Sequence, residues 1–275
     1  MSTLYVVATP IGNLEDITYR AVRVLGEVSA IAAEDTRTAK KLLQRYRIST
    51  PLVSYHDHSQ RQDINLLLGK LGVGDMALIS EAGTPGINDP GYALINAALE
   101  KGHRVVPVPG PSAPITALSA SGLPTDTFYF GGYLPRKTRA RRQTLEELSR
   151  QTCTLVFLET PHRLLDALDD ILQSLGNREL AVARELTKMH EEIFRGSLRE
   201  ARDHYRAHAP RGEITLVIQG AGEADLQWPE EKLEKQLTEA LTEERWSASR
   251  LAKKLARESG WPRREIYDRI NQLKS

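Results

Sequence analysis

The sequence predicts an α/β protein of two lobes followed by a small helical tail, and three observations carry that prediction. Short apolar runs alternate with amphipathic helical stretches over residues 4–122; a second set of apolar runs follows over 123–221; and beyond Gly220 the composition turns polar and rich in breakers. With 275 residues, the chain is long for one α/β core and suits two lobes with a tail. The divisions are expected at 1–122, 123–221, a linker at 222–232 and a tail at 233–275.

In the first lobe LYVVA (4–8), AIAAE (30–34), PLVSY (51–55), MALIS (76–80) and RVVPV (104–108) read as strands. Helical patterns over 17–28, 38–46, 64–71 and 92–100 separate them. Strands that are continuously apolar, with helices between, imply a mainly parallel sheet covered on both faces, whose ligands lie at the strands' carboxyl ends. The second lobe starts at FYFGGYL (128–134) and continues through a charged helix to CTLVFLE (153–159), a helix over 161–175 and ELAVAR (179–184). It closes with EEIFRG (191–196), a helix over 198–205 and EITLVIQG (213–220), a hairpin-like ending that predicts a mixed sheet. The crevice between two such lobes is the expected small-molecule site. In the tail, Ser247 is placed to cap a helix, Gly260 to end it and Pro262 to start the next, a pattern like a helix-turn-helix.

Bulk properties exclude several classes. No apolar run is long enough to cross a bilayer, and the segment MSTLYVVATPIGN has neither the basic flank nor the apolar length of a secretory signal, so a cytoplasmic protein is expected. Cys153 is the one cysteine, inside an apolar run, which rules out an internal disulfide and a thiolate cluster. The formal charge of +1 advertises no polyanionic partner globally, so any nucleic-acid surface is local.

The chemistry concentrates in loops. Thr9-Pro10-Ile11-Gly12-Asn13 after the first strand is not the G-x-G-x-x-G of a dinucleotide turn, Gly72 and Gly74 follow a helix as stop signals, and there is no phosphate-binding G-x-x-x-x-G-K-[ST]. By contrast ISEAGTPGINDPG packs Gly83, Pro85, Gly86, Pro90 and Gly91 into one loop after a buried strand. Glycines let backbone approach a ligand, and prolines fix the loop before binding. VPGPSA, with Pro109, Gly110, Pro111, Ser112 and Ala113, repeats the device after the next strand.

TPIGNLEDIT, AAEDTR, SEAGTPGINDPG, PGPSA, GGYLPRK, FLETPHR, ARELTK and GEITLVI, in this order over residues 4–220, resemble the tetrapyrrole-methylase superfamily. Within it they are similar to the branch that methylates a cytidine 2′-hydroxyl of small-subunit ribosomal RNA near the decoding centre. The resemblance implies S-adenosylmethionine folded between two lobes, a homodimer, and cofactor contacts from Pro10, Ile11, Ser80, Glu81, Ala82, Gly83, Thr84, Ile87, Ser112 and Ala113, with Glu159 and Leu186 closing over it from the second lobe. The tetrapyrrole branch has a shorter Gly-Asp-Pro loop where Ser80–Thr84 stands here, a departure that favours RNA over corrin chemistry.

Transfer from a sulfonium is an in-line displacement in which alignment supplies much of the rate. A proton acceptor for the ribose hydroxyl adds to it, and Glu81, Asp89 and Glu185 are the candidates; each equally suits a helix cap, an arginine partner or a loop brace. Arg37 and Lys40, with Lys41 and Arg45, form a basic helix face that suits RNA phosphates or, equally, solvent, with Asp35 or Thr36 as the helix cap. His162 and Arg163 open a helix straight after a strand, a place suited to phosphate. Arg136, Lys137, Arg139, Arg141 and Arg142, with Tyr133 nearby, are the densest cation cluster on a near-neutral chain and the leading RNA contact. His56 and His58 around Asp57, and His204 with His208, lack further ligands nearby, so no metal is expected. The expected substrate is small-subunit ribosomal RNA or the assembled subunit. The rival readings are a tetrapyrrole or protein side-chain methyltransferase, disfavoured by the basic helix and tail, and a noncatalytic ribosome-assembly factor, disfavoured by two preorganised loops.

Overall fold

The computed structural model describes the chain except for Met1, Pro229, Ser275 and residues 56–60, 223–226 and 243–245. The first sheet holds β1 (Thr3–Val7), β2 (Ala30–Ala33), β3 (Leu52–Ser54), β4 (Met76–Ile79) and β5 (Arg104–Val108). All its pairs are parallel, in the order β3-β2-β4-β1-β5. Helices α1 (Tyr19–Glu27) and α2 (Thr36–Arg45) cover one face, where Val24, Leu25 and Leu43 meet Val7, Ile31 and Ile79. Helices α3 (Arg61–Val73) and α4 (Tyr92–Glu100) cover the other, where Leu67, Leu71 and Leu94 meet Leu4, Ala32 and Leu78. Burial on both faces explains the unbroken apolar runs. Thr18 Oγ accepts from Ala21 N–H at the start of α1 (3.1 Å), and Asp35 caps α2 by accepting from the N–H groups of Arg37 (2.6 Å) and Thr38 (3.3 Å). Those backbone bonds hold the Asp35 carboxyl below its ordinary value.

Helix α5 (Ala113–Ser121) leads into the second sheet: β6 (Phe128–Tyr133), β7 (Thr154–Glu159), β8 (Glu179–Arg184), β9 (Glu192–Ser197) and β10 (Ile214–Ile218). Its order is β6-β7-β10-β8-β9, with β6 parallel to β7 and every other pair antiparallel. Helices α6 (Thr138–Leu148), α7 (Leu164–Leu175) and α8 (Leu198–Ala207) bury one face through Leu145, Leu168, Ile171 and Tyr205. The opposite face meets α5 and the first lobe: Val156, Ala181, Ala183 and Val217 pack with Ala117, Leu118 and Ile11. One apolar cluster thus ties both lobes together.

Helices α9 (Glu230–Thr242), α10 (Ala248–Ser259) and α11 (Arg263–Lys274) form a separate core of Leu237, Leu251, Leu255, Ile266 and Ile270. Gly260 ends α10 in the left-handed conformation, whereas Ser247 occupies the cap position of α10 without a side-chain bond. The helix expected over 161–175 begins at Leu164, because Arg163 N–H bonds Thr160 O (3.1 Å) and the PHR segment forms a turn. No helix among the described residues is long and apolar enough to cross a membrane.

Candidate functional site

The chain leaves the neighbouring strands β1 and β4 toward opposite faces, to α1 and to α4, so a crevice opens at their carboxyl ends. Two loops close over it. Thr9 N–H donates to Gly83 O (2.8 Å) and Gly83 N–H to Thr9 O (3.0 Å), which folds the AGTPG segment back across the end of β1. Gly83 has φ +79°, a conformation that a side chain resists. Thr84 Oγ donates to Pro111 O (3.3 Å) and so ties this loop to PGPSA.

Facing them is the second sheet. Because β10 runs antiparallel to β7 and β8, with Ile214 beside both Glu159 and Arg184, it is the amino end of β10 that reaches the crevice. The resulting cleft is lined by Ile11, Ala82, Gly83, Thr84, Ile87, Asp89, Ser112, Ala113 and Pro114 from the first side, and by Phe130, Tyr133, Leu158, Glu213, Ile214 and Thr215 from the second. Of the residues expected around a cofactor, seven converge here. Pro10, Ser80 and Glu81 instead line a neighbouring cavity on the α2 side. Leu186 is buried behind the cleft in the cluster with Ile11, and Glu159 points into the protein.

The lobes approach closely at two glycines. A Cβ on Gly12 would lie 2.5 Å from Lys188 Cγ and 3.0 Å from Leu186 O, and one on Gly132 would overlap the Asn88 side-chain oxygen. TPIGN therefore packs beneath ARELTK, and the GINDPG loop against GGYLPRK.

The three proposed proton acceptors part ways. Asp89 lines the cleft, Glu81 lines the adjoining cavity, and Glu185 lines neither. Glu185 accepts from Lys188 Nζ (2.9 Å) and from Glu213 N–H (3.2 Å). The Lys188 bond in particular holds its carboxyl below the ordinary value, which makes it a weaker base and a brace for the β8–β9 turn. Tyr133 lines the cleft together with Glu213 and Asp89; burial first, then those charges, pushes its phenol above the ordinary value. Glu159, 1% exposed, accepts from Thr160 N–H (2.7 Å) and Arg163 Nη2 (3.1 Å), yet burial raises its carboxyl above the usual range.

The cation cluster divides. Arg136, Lys137 and Arg139 are exposed. Arg141 corrects the sequence reading: it is 3% exposed, and its Nε donates to Asp170 Oδ2 (2.7 Å), inside the α6–α7 interface rather than toward a partner. Arg142 donates to Asp170 Oδ1 (2.7 Å) and remains partly exposed. Arg163 is likewise turned inward, donating to Leu134 O (2.5 Å) as well as to Glu159, whereas His162, Arg37 and Lys40 are exposed. His56 and His58 lie outside the described residues. Among those described, no group of three or more His, Cys, Asp or Glu is arranged to hold a metal.

Sequence reasoning missed Phe130, Glu213 and Thr215, and gave Tyr133 no place in the cleft. It looked to the carboxyl ends of strands, a rule that holds in the parallel sheet and is reversed for β10. The hairpin-like order of EEIFRG and GEITLVI was the available signal.

Two unlike sheets that share one apolar cluster and one cleft define a two-lobed α/β class of protein with a ligand-sized cleft between its sheets. Solved structures with this fold include cobalt precorrin-4 methyltransferase CbiF, at TM-score 0.61 and 15% identity over 79% of this chain and 94% of that one. Another is the methyltransferase CobJ, at 0.60 and 18% over 80% and 95%. The chain belongs to the Tetrapyrrole (Corrin/Porphyrin) Methylases, whose family profile matches residues 3–202. It is 47% identical to the "Ribosomal RNA small subunit methyltransferase I" of Halalkalibacterium halodurans, over 98% of this chain and 95% of the relative. The protein of the same name from Bacillus subtilis is 42% identical over 98% and 94%, and that of Escherichia coli O157:H7 49% identical over 81% and 80%.

Proposed function

We propose that this chain transfers a methyl group from S-adenosylmethionine to the 2′-hydroxyl of a cytidine in small-subunit ribosomal RNA. The observation that carries the substrate class is likeness over nearly the whole chain to relatives that bear that name. The cleft fits the donor chemically. Ile11, Ile87, Phe130 and Leu158 offer apolar surface, while Asp89 and Glu213 suit a cationic ligand. Ser112 stands at the start of α5 without a side-chain cap bond, which leaves the backbone N–H groups of Ala113 and Ile115, on either side of Pro114 with none of its own, to a carboxylate.

When bound, S-adenosylmethionine supplies an electrophilic methyl on a positively charged sulfur. The chain's contribution is alignment: bridged Thr9 and Gly83, Thr84 tied to Pro111, and Gly132 against Asn88 fix the cleft before any ligand enters. In this reading Asp89, which lines the cleft, accepts the ribose proton, and the exposed Arg37, Lys40, Arg136, Lys137, Arg139 and His162 meet phosphates. In this reading the protein works in the cytoplasm as a homodimer. Self-association is supported by β6, an edge strand on which Phe128 and Tyr129 are 39% and 41% exposed.

The test supplies labelled S-adenosylmethionine with purified small subunits, naked ribosomal RNA or a tetrapyrrole, and maps the label. Ribose label at one cytidine of small-subunit RNA is expected. Label on a base, or on the tetrapyrrole alone, overturns the assignment.

A further inference from the structure

A second cavity lies on the other side of the loops that line the cleft, and its construction differs from that of an ordinary surface dimple. Period two along the strands puts Val7 and Thr9 on the face of the sheet covered by α1 and α2, and does the same for Ile79 and Glu81. Pro10, Leu14 and Leu42 form apolar walls, Thr9 lies at its base, and Glu81 and Lys41 belong to its rim.

Three of its polar groups are unspent, whereas Ser80 Oγ, also on its wall, donates to Ala82 O (3.2 Å). Thr9 is 2% exposed, and its buried hydroxyl has no hydrogen-bond partner among the described residues. A buried hydroxyl left unsatisfied is costly and calls for a partner. The Glu81 carboxylate and the Lys41 ammonium, both exposed, make no ion pair or hydrogen bond among the described residues; only the Glu81 backbone N–H is engaged, to Glu34 Oε2 (3.3 Å). Apolar walls with one acceptor, Glu81, and two donors, Lys41 and Thr9, suit a single unstacked heteroaromatic ring.

The position relative to the cleft is equally specific. Pro10 and Glu81 line this cavity, while their immediate neighbours Ile11 and Ala82 line the cleft. The same two stretches of backbone, at 10–11 and 81–82, thus form the wall between the two spaces. A nucleotide with its base on the α2 side would bring its ribose over that wall to the donor. Resting on the methyltransferase reading above, we infer that this cavity holds the base of the acceptor nucleotide and that Glu81 reads its exocyclic amine. Cytosine offers an amine donor beside two acceptors, which complements Glu81, Lys41 and Thr9. Uracil puts a carbonyl where the amine was and sets it against the carboxylate.

The test uses small subunits that carry either cytidine or uridine at the labelled position, with donor affinity followed separately by calorimetry. The intact protein prefers cytidine, and Glu81→Gln, whose amide serves either edge, lowers the cytidine-to-uridine ratio of kcat/KM by about tenfold or more. Loss of a proton acceptor alone would slow both substrates equally and leave that ratio unchanged. Leu14→Trp, at a residue 38% exposed, fills the cavity from its rim, so methylation is lost while donor affinity stays within about twofold. An unchanged ratio in Glu81→Gln, weakened donor binding by that variant, or full methylation by Leu14→Trp overturns the assignment. Failure of the intact protein to methylate either RNA removes the parent reading and this one with it.

Discussion

Gly132 of β6 lies so close to Asn88 of the GINDPG loop that a Cβ at position 132 would overlap the Asn88 side-chain oxygen. Both residues have positive φ, +63° and +62°. The contact joins a strand of one lobe to a ligand loop of the other, so the width of the cleft depends on an absent side chain. Gly132→Ala is expected to weaken S-adenosylmethionine binding about tenfold by displacing that loop, in addition to about 1 kcal/mol of backbone strain. Gly122→Ala, also at positive φ but facing open space, should lose stability alone. Calorimetric titration and thermal melting of both variants separate the two effects.

Asp170 receives Arg141 and Arg142 from α6 and is itself 3% exposed. Removing one partner of a buried pair strands the other charge, so Asp170→Ala should cost about 3–5 kcal/mol in denaturant unfolding. The double change Arg141→Met with Asp170→Leu is expected to recover most of that loss. A loss of RNA binding without loss of stability would return Arg141 to the surface role first read from the sequence.

Burial raises the Glu159 carboxyl above its ordinary value of 4.5. The folded state therefore binds the proton more tightly than the unfolded chain, and this contribution to stability is full below pH 4.5 and lost as pH rises through the raised value. Glu159→Gln keeps the acceptor for Arg163 and Thr160 without the charge. Its melting temperature relative to the parent should rise with pH across that window and level off above it. A difference that stays flat from pH 4 to 8 would refute the burial effect, the pH range being about that of ordinary carboxylate titration.

Arg136, Lys137 and Arg139 are exposed and follow closely in sequence on Tyr133, which lines the cleft. Replacing all three with glutamine should weaken RNA binding and reduce the slope of log K against log salt by about 2, at roughly 0.7 per phosphate contact on single strands. Donor affinity should not change. Filter binding across a salt series reads the slope.

Much of the fold was legible because burial on both faces leaves parallel strands as unbroken apolar runs, and each of the five strands of the first sheet falls on one such run. The loops that bear Gly83 and Ser112 were legible for a related reason: no simple connector concentrates so many glycines and prolines. The identity of the groups facing those loops was not. Glu213 and Thr215 enter the cleft only because β10 is antiparallel, a tertiary fact. Arg141 looked like one more cation in a basic helix. Its spacing from Leu145 and Leu148, on the buried side of α6 at i, i+4 and i+7, was the clue that it faces inward.

Titration of S-adenosylmethionine into the purified chain, beside an Ala113→Trp variant that fills the cleft at the start of α5, tests the central claim most directly. Saturable heat and a raised melting temperature for the parent are expected, with both lost in a variant that still folds. A parent that gives no heat and no shift in melting, or a variant that binds the donor as well as the parent does, would contradict a donor site between the lobes.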